Sequence, residues 1–210
     1  MKQWIKGSLY TIEPYMSLYV FLFVLFVIGV LFGANLVGNL NFLQQQDLLF
    51  FVENYFQTLE RPTDQGLISS FIQILYTHGK YLIFLFLFGL SFVGLPVVWF
   101  LLFVKGVVVG FTVGFLVHQL AWDGFLISFL SIAPQNLLIV PAYLFLAAGS
   151  MIFCIKIMKM LFSRIGNKTS IGEVVRNYFK TFVIAFAILF VGCLVEILIS
   201  SQAIHLVINR

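Results

Sequence analysis

The chain has 210 residues, 61% of them hydrophobic and 10% charged, with a formal net charge of +4. A soluble domain carries about a quarter of its residues charged. Together with a mean hydropathy of +1.07, this composition excludes a soluble domain and indicates an integral membrane protein. Cys154 and Cys193 both lie within apolar runs, where free buried thiols are expected rather than a disulfide.

In chain order, Met1–Thr11 mixes Lys2 and Lys6 with Trp4, Ile5, Leu9 and Tyr10, a pattern suited to a short segment lying at the membrane interface. A first span is expected over Tyr15–Val37, after Glu13-Pro14, because proline suits a first helical turn. No small-residue cleavage site follows the apolar run, so it reads as an uncleaved span rather than a signal peptide. Gly38–Gly79 is polar to mixed and carries two amphipathic patterns. Leu48, Val52, Tyr55 and Leu59 form one, and Ile68, Phe71, Ile72 and Leu75 the other. Arg61-Pro62-Thr63-Asp64-Gln65-Gly66 separates them with turn chemistry. Two short extracytoplasmic helices are expected there.

A second span is expected over Tyr81–Val104, kinked by Gly89, Gly94 and Pro96. Lys105-Gly106 is then the only break before a third span over Val107–Trp122, making a tight hairpin. Phe125–Ile155 follows, interrupted by Pro134, Gln135 and Asn136. A basic connector, Lys156–Lys180, precedes a last span over Thr181–Ser200. Within it Ser170-Ile171-Gly172-Glu173 reads as a capping box that starts a helix running on into that span.

Lys and Arg gather on the cytoplasmic side. Lys2, Lys6, Lys105, Lys156, Lys159, Arg164, Lys168, Arg176 and Lys180 would share one side, against Arg61, Lys80 and Arg210 on the other. This places the N-terminus in the cytoplasm and the 38–79 insertion outside. Phe125–Ile155 must then cross an odd number of times. As one helix it would measure about 46 Å at ~1.5 Å per residue, against a hydrocarbon core of ~30 Å. The expected solution is a short broken or re-entrant helix over Phe125–Ile132, a break at Ala133-Pro134-Gln135-Asn136, and a full span from Leu137. The expected fold is therefore an all-α polytopic membrane domain of five transmembrane helices, with the C-terminus outside.

Three groups of residues stand out for function. Gln135 and Asn136 could cap backbone freed by the break or line a site. Glu196 is the only acid inside an apolar run, and an ionisable residue there calls for a partner. His118, Gln135, Asn136 and also His78 fall on the same outer side, so a polar cluster around Glu196 is one reading and a carboxylate reaching headgroups or water is the other. Gly106, Gly110 and Gly114 repeat at four-residue spacing, as do Gly29 and Gly33, which permits close helix packing. Whether that packing lies within one chain or between copies in a homo-oligomer is open at this stage. There is no Gly-rich phosphate loop, no His/Cys metal spacing and no nucleophile–base motif. No enzyme activity, cofactor, metal or nucleic-acid partner is expected; the bilayer is the evident partner.

The basic lead, the long acidic outer loop, the glycine-spaced third span and the Pro134–Ala142 break, in this order and length, resemble the stage II sporulation protein M family of endospore-forming bacteria over essentially the whole chain. A broader set of similar membrane proteins reads Pro-His-Gly, two residues, Glu, one residue, Pro-Ala at the break. Pro134, Pro141 and Ala142 fit that frame, while Gln135, Asn136 and Ile139 replace its His, Gly and Glu. The titratable pair is absent from those positions. The resemblance implies a role in engulfment during sporulation. It implies an anchor in the mother-cell septal membrane that recruits the peptidoglycan-degrading stage II sporulation proteins P and D and is not itself the hydrolase. Asp47, Val52, Tyr55 and Leu59, in the outer insertion, would then dock partners. A permease-like or channel-like subunit using the break at Pro134, and a purely structural oligomer, are the competing readings.

Overall fold

A computed structural model of the chain describes residues 15–50, 67–127, 133–162 and 170–208. Among them five long helices appear: α1 (Met16–Gly38), α2 (Leu67–Gly89), α3 (Leu95–Ile127), α4 (Ala133–Phe162) and α5 (Ile171–Ile208). Each contains a segment long and apolar enough to cross a membrane: Met16–Gly38, Phe71–Gly89, Phe92–Gln119, Asn136–Phe162 and Ile171–Ile197. α1 shows why such helices belong in lipid. It buries one stripe, Leu22, Phe26, Gly29, Gly33 and Val37, yet Phe21, Val24, Ile28, Leu31 and Phe32 on its other faces are exposed and equally apolar. A helix apolar all round is a membrane span or a core helix, and this one has no core on its outer faces.

α4 is the centre of the bundle. Of its spanning segment 61% is buried, against 28% or less for the others. It packs along α5, both are braced by α2, and α1 lies along α3. Leu82, Leu85, Val98, Leu102, Tyr143, Leu146 and Leu189 form the middle of the core. The α1–α3 seam is built on glycine. A Cβ at Gly29 would meet the backbone of Phe103 and Gly106; one at Gly33, that of Val107 and Phe111; one at Gly110, that of Val30. Gly106 faces the Phe26 carbonyl and Gly114 faces Ala34. All five glycines of the two motifs therefore serve contact within one chain.

The count of five spans agrees with expectation, but the chain is divided differently. Lys105-Gly106 is not a hairpin. α3 runs through it without interruption, and the reversal lies at Leu90–Gly94, where Ser91 is extended and Phe92–Gly94 forms a 3-10 turn. A Cβ at Gly94 would strike the backbone of Phe88, so the turn is tight enough to require glycine. Pro96, expected to kink a span, instead occupies the first turn of α3, where its missing N–H is harmless. Ile68–Leu75 is likewise not a separate extracytoplasmic helix. It is the first part of α2, which continues to Gly89, so the stretch between the first two spans ends near residue 66 rather than 79.

The expected break at Ala133–Asn136 is also displaced. These residues form the first turn of α4, and Pro141 sits inside that helix without ending it. The departure from helical backbone is at Ala121, with φ 47° and ψ −119°, a left-handed region that costs a non-glycine residue about 1–3 kcal/mol. Helix resumes over residues 122–127, and the remainder of the expected short helix, 128–132, lies outside the described residues. The Ser170 hydroxyl accepts a bond from the Glu173 N–H at 3.3 Å, and α5 continues from that cap into the last span. The interfacial Met1–Thr11 segment lies outside the described residues, as do Val52, Tyr55 and Leu59. Residues 42–50 are helical, and Asp47 is exposed on them.

Candidate functional site: a polar cluster joining four helices

Removing Lys105 from a loop places a lysine midway along a transmembrane helix. An unpaired charge at that depth costs about 3 kcal/mol or more, so the helices around it must supply partners. α4 and α5 do so directly, and α2 joins the set through them. Lys105 Nζ lies 5.6 Å from the ring centroid of Tyr143 on α4, within cation–π reach, and it interacts electrostatically with Glu196 on α5. His78 on α2 places Nε2 3.3 Å from Glu196 Oε2 and Nδ1 2.9 Å from the Tyr143 hydroxyl. A neutral imidazole suits the Tyr143 contact: Tyr143 donates its O–H to Nδ1, which leaves the ring N–H on Nε2, close to the carboxylate but without the geometry of a hydrogen bond to it. Tyr81 packs its ring 4.9 Å from that of Tyr143 and donates its hydroxyl to the Leu101 carbonyl.

The cluster is enclosed. Tyr143 is fully buried, and the side chains of His78 and Glu196 are only 14% and 16% exposed. With His78 neutral, Lys105 and Glu196 balance in charge. Such a set holds its helices together strongly once formed, because removing one member leaves another charge unpaired in low dielectric. Chemically it can do two things. It can fix the relative positions of α2, α3, α4 and α5, and it gathers three proton-binding groups, Tyr143, His78 and Glu196, at contact distance.

A second buried polar group closes the C-terminal end of α2. The Tyr178 hydroxyl donates to the Phe86 carbonyl at 3.1 Å and lies 2.9 Å from Ser150 Oγ. The Cys154 thiol points at the Gly89 carbonyl from 3.7 Å. The last carbonyls of a helix lack intrahelical donors, and in lipid they must find others; α4 and α5 provide them here. Both cysteines are free.

Of the sequence candidates, Glu196 and His78 are brought together. His118 is exposed on α3, and no ion pair among the described residues joins it to Glu196. Pro134, Gln135 and Asn136 begin α4, roughly 10 Å along the helix from Tyr143 at ~1.5 Å per residue. Sequence reasoning missed Lys105, Tyr143 and Tyr81. Lys105 was legible in principle: it stands alone in an apolar run from Leu95 to Val117, where a two-residue turn without proline was the weaker explanation. Tyr143 carried no signal among so many aromatics.

The arrangement defines a polytopic α-helical membrane protein that gathers His78, Lys105 and Glu196 inside the bundle. The chain belongs to the stage II sporulation protein M family, whose model matches residues 22–201, and it is accordingly a sporulation membrane protein. No curated protein and no solved structure matches it significantly.

Proposed function

We propose that the protein is a non-enzymatic scaffold of the engulfment machinery. It would hold the peptidoglycan-degrading stage II sporulation proteins P and D at the septal membrane of the mother cell, with its N-terminus cytoplasmic and its C-terminus outside. One observation carries the reading: the buried ionisable groups of the cluster face partners on other helices, through His78–Glu196 at 3.3 Å and Lys105 over Tyr143. This suits a rigid anchor, and it leaves the outer insertion and the exposed apolar helix faces for partners. The basic residues still lie mainly on the proposed cytoplasmic side after Lys105 is moved into the membrane, since Lys156, Lys159, Arg164, Lys168, Arg176 and Lys180 are unaffected.

Deleting Asp47–Leu59 tests this. The shortened protein is expected to insert normally and to lose its wall-degrading partners in a pull-down from detergent. Unchanged recruitment would sink the scaffold reading.

The same cluster favours a second reading, a permease-like or channel-like subunit, because ionisable residues at mid-membrane depth also mark ion paths. Purified protein in liposomes separates the two: the scaffold predicts no proton or cation flux above empty vesicles, whereas flux abolished by Glu196→Gln would establish the second.

A further inference from the structure

One cation is left out of the cluster. Lys80 stands midway along the Phe71–Gly89 span, so it is about 14 Å from either end at ~1.5 Å per residue. It is exposed, and the close His78–Glu196 contact among the described residues does not involve it. Lysine near a helix end reaches headgroups by extending its stem; from this depth the stem falls well short. Lys80 sits on the rim of an apolar groove of about 410 Å³ between α2 and α5, lined by residues including Ile72, Tyr76, Gly79, Ile83 and Phe186. At its floor, a Cβ added to Gly79 would meet nothing within 4 Å, leaving a notch for an incoming side chain.

We infer that this groove receives a transmembrane helix of another protein, carrying a carboxylate that pairs with Lys80 inside the membrane. Charge complementarity selects this occupant. Among the described residues a second copy offers no suitable acid, since Glu196 already faces His78 and Glu173 lies in the first turn of its helix, at the end of its span rather than at mid-depth. An anionic lipid would have to bring its phosphate to mid-span depth. The groove's apolar walls fit the flanks of a helix, and the glycine notch permits close approach. This deepens the scaffold reading by specifying the chemistry of one partner, and it rests on that reading.

The probe is a synthetic leucine–alanine transmembrane peptide of about 20 residues with one central Glu, compared with its Gln counterpart. Each is labelled and reconstituted with the full chain in phosphatidylcholine vesicles, with association followed by energy transfer. The Glu peptide is expected to bind about three- to tenfold more tightly than the Gln peptide, as for a single interhelical polar contact. Lys80→Met should abolish that preference, Lys80→Arg should keep it, and Gly79→Leu should weaken both peptides by filling the notch. Three results overturn the proposal: no Glu preference, displacement of the peptide by phosphatidylglycerol at a few per cent of the lipid, or self-association of the full chain that depends on Lys80. Lost Glu preference with partner recruitment intact removes the groove proposal alone. Persisting Glu preference with no wall-degrading partner recovered removes the scaffold reading alone.

Discussion

Lys105 and Glu196 are far apart in sequence and each is alone in its apolar run, so each depends on groups that other helices supply. Their coupling is measurable. In a double-mutant cycle of Lys105→Met and Glu196→Gln, followed by unfolding in mixed micelles, each single change is expected to destabilise, and the pair should cost less than the sum by about 0.5–2 kcal/mol. Strict additivity would show that the cluster is not an electrostatic unit. Tyr178 allows a cleaner test of backbone satisfaction. Tyr178→Phe keeps the stacking on Phe86 and Phe153, at 4.9 and 4.8 Å between ring centroids, but leaves the Phe86 carbonyl without its donor. A loss of about 1–2 kcal/mol is expected, with fraying confined to the end of α2 and visible as faster amide exchange there.

Among the helices, the α1–α3 seam is the closest contact and the one most sensitive to added volume. Gly110→Leu would force α1 away from α3, since the first carbon beyond Cα already meets the backbone of Val30. A loss of about 1–3 kcal/mol is expected from overpacking of this kind. Gly38→Leu is the matched control, because a Cβ there meets nothing within 4 Å; equal destabilisation by both would show that the seam does not depend on glycine. The spacing of these glycines was legible in the sequence because a four-residue repeat puts small residues on one helix face. That the two stripes face each other was not, because intrachain and interchain packing leave the same sequence pattern.

For the whole molecule, the proposed topology depends on an even number of crossings, four, between the insertion after α1 and the C-terminus. Reporter fusions test it. Alkaline phosphatase joined after Ile208 is expected to be active, and the same enzyme joined after Lys159 inactive; the reverse pattern would invert the assignment. The positive-inside bias survives the redistribution of Lys105 because most of its weight lies in residues 156–180. The displaced hairpin and the displaced break share one cause. Local signals such as a lone lysine, a glycine or a proline are compatible with a turn, a helix start or a buried partner, and only neighbouring helices decide among them.

Composition and periodicity by themselves determined the membrane class, the number of spans, the cap at Ser170 and the small-residue faces, because hydrophobic length and local hydrogen bonding are properties of contiguous residues. The tertiary structure alone decided where the chain turns and what surrounds each charge. It set Lys105 inside a helix, moved Pro96 and Pro134 to helix starts, and brought His78, Tyr143 and Glu196 together. The reason is energetic: a buried charge is tolerable only with a partner, and partners on separate helices leave no pattern along the chain.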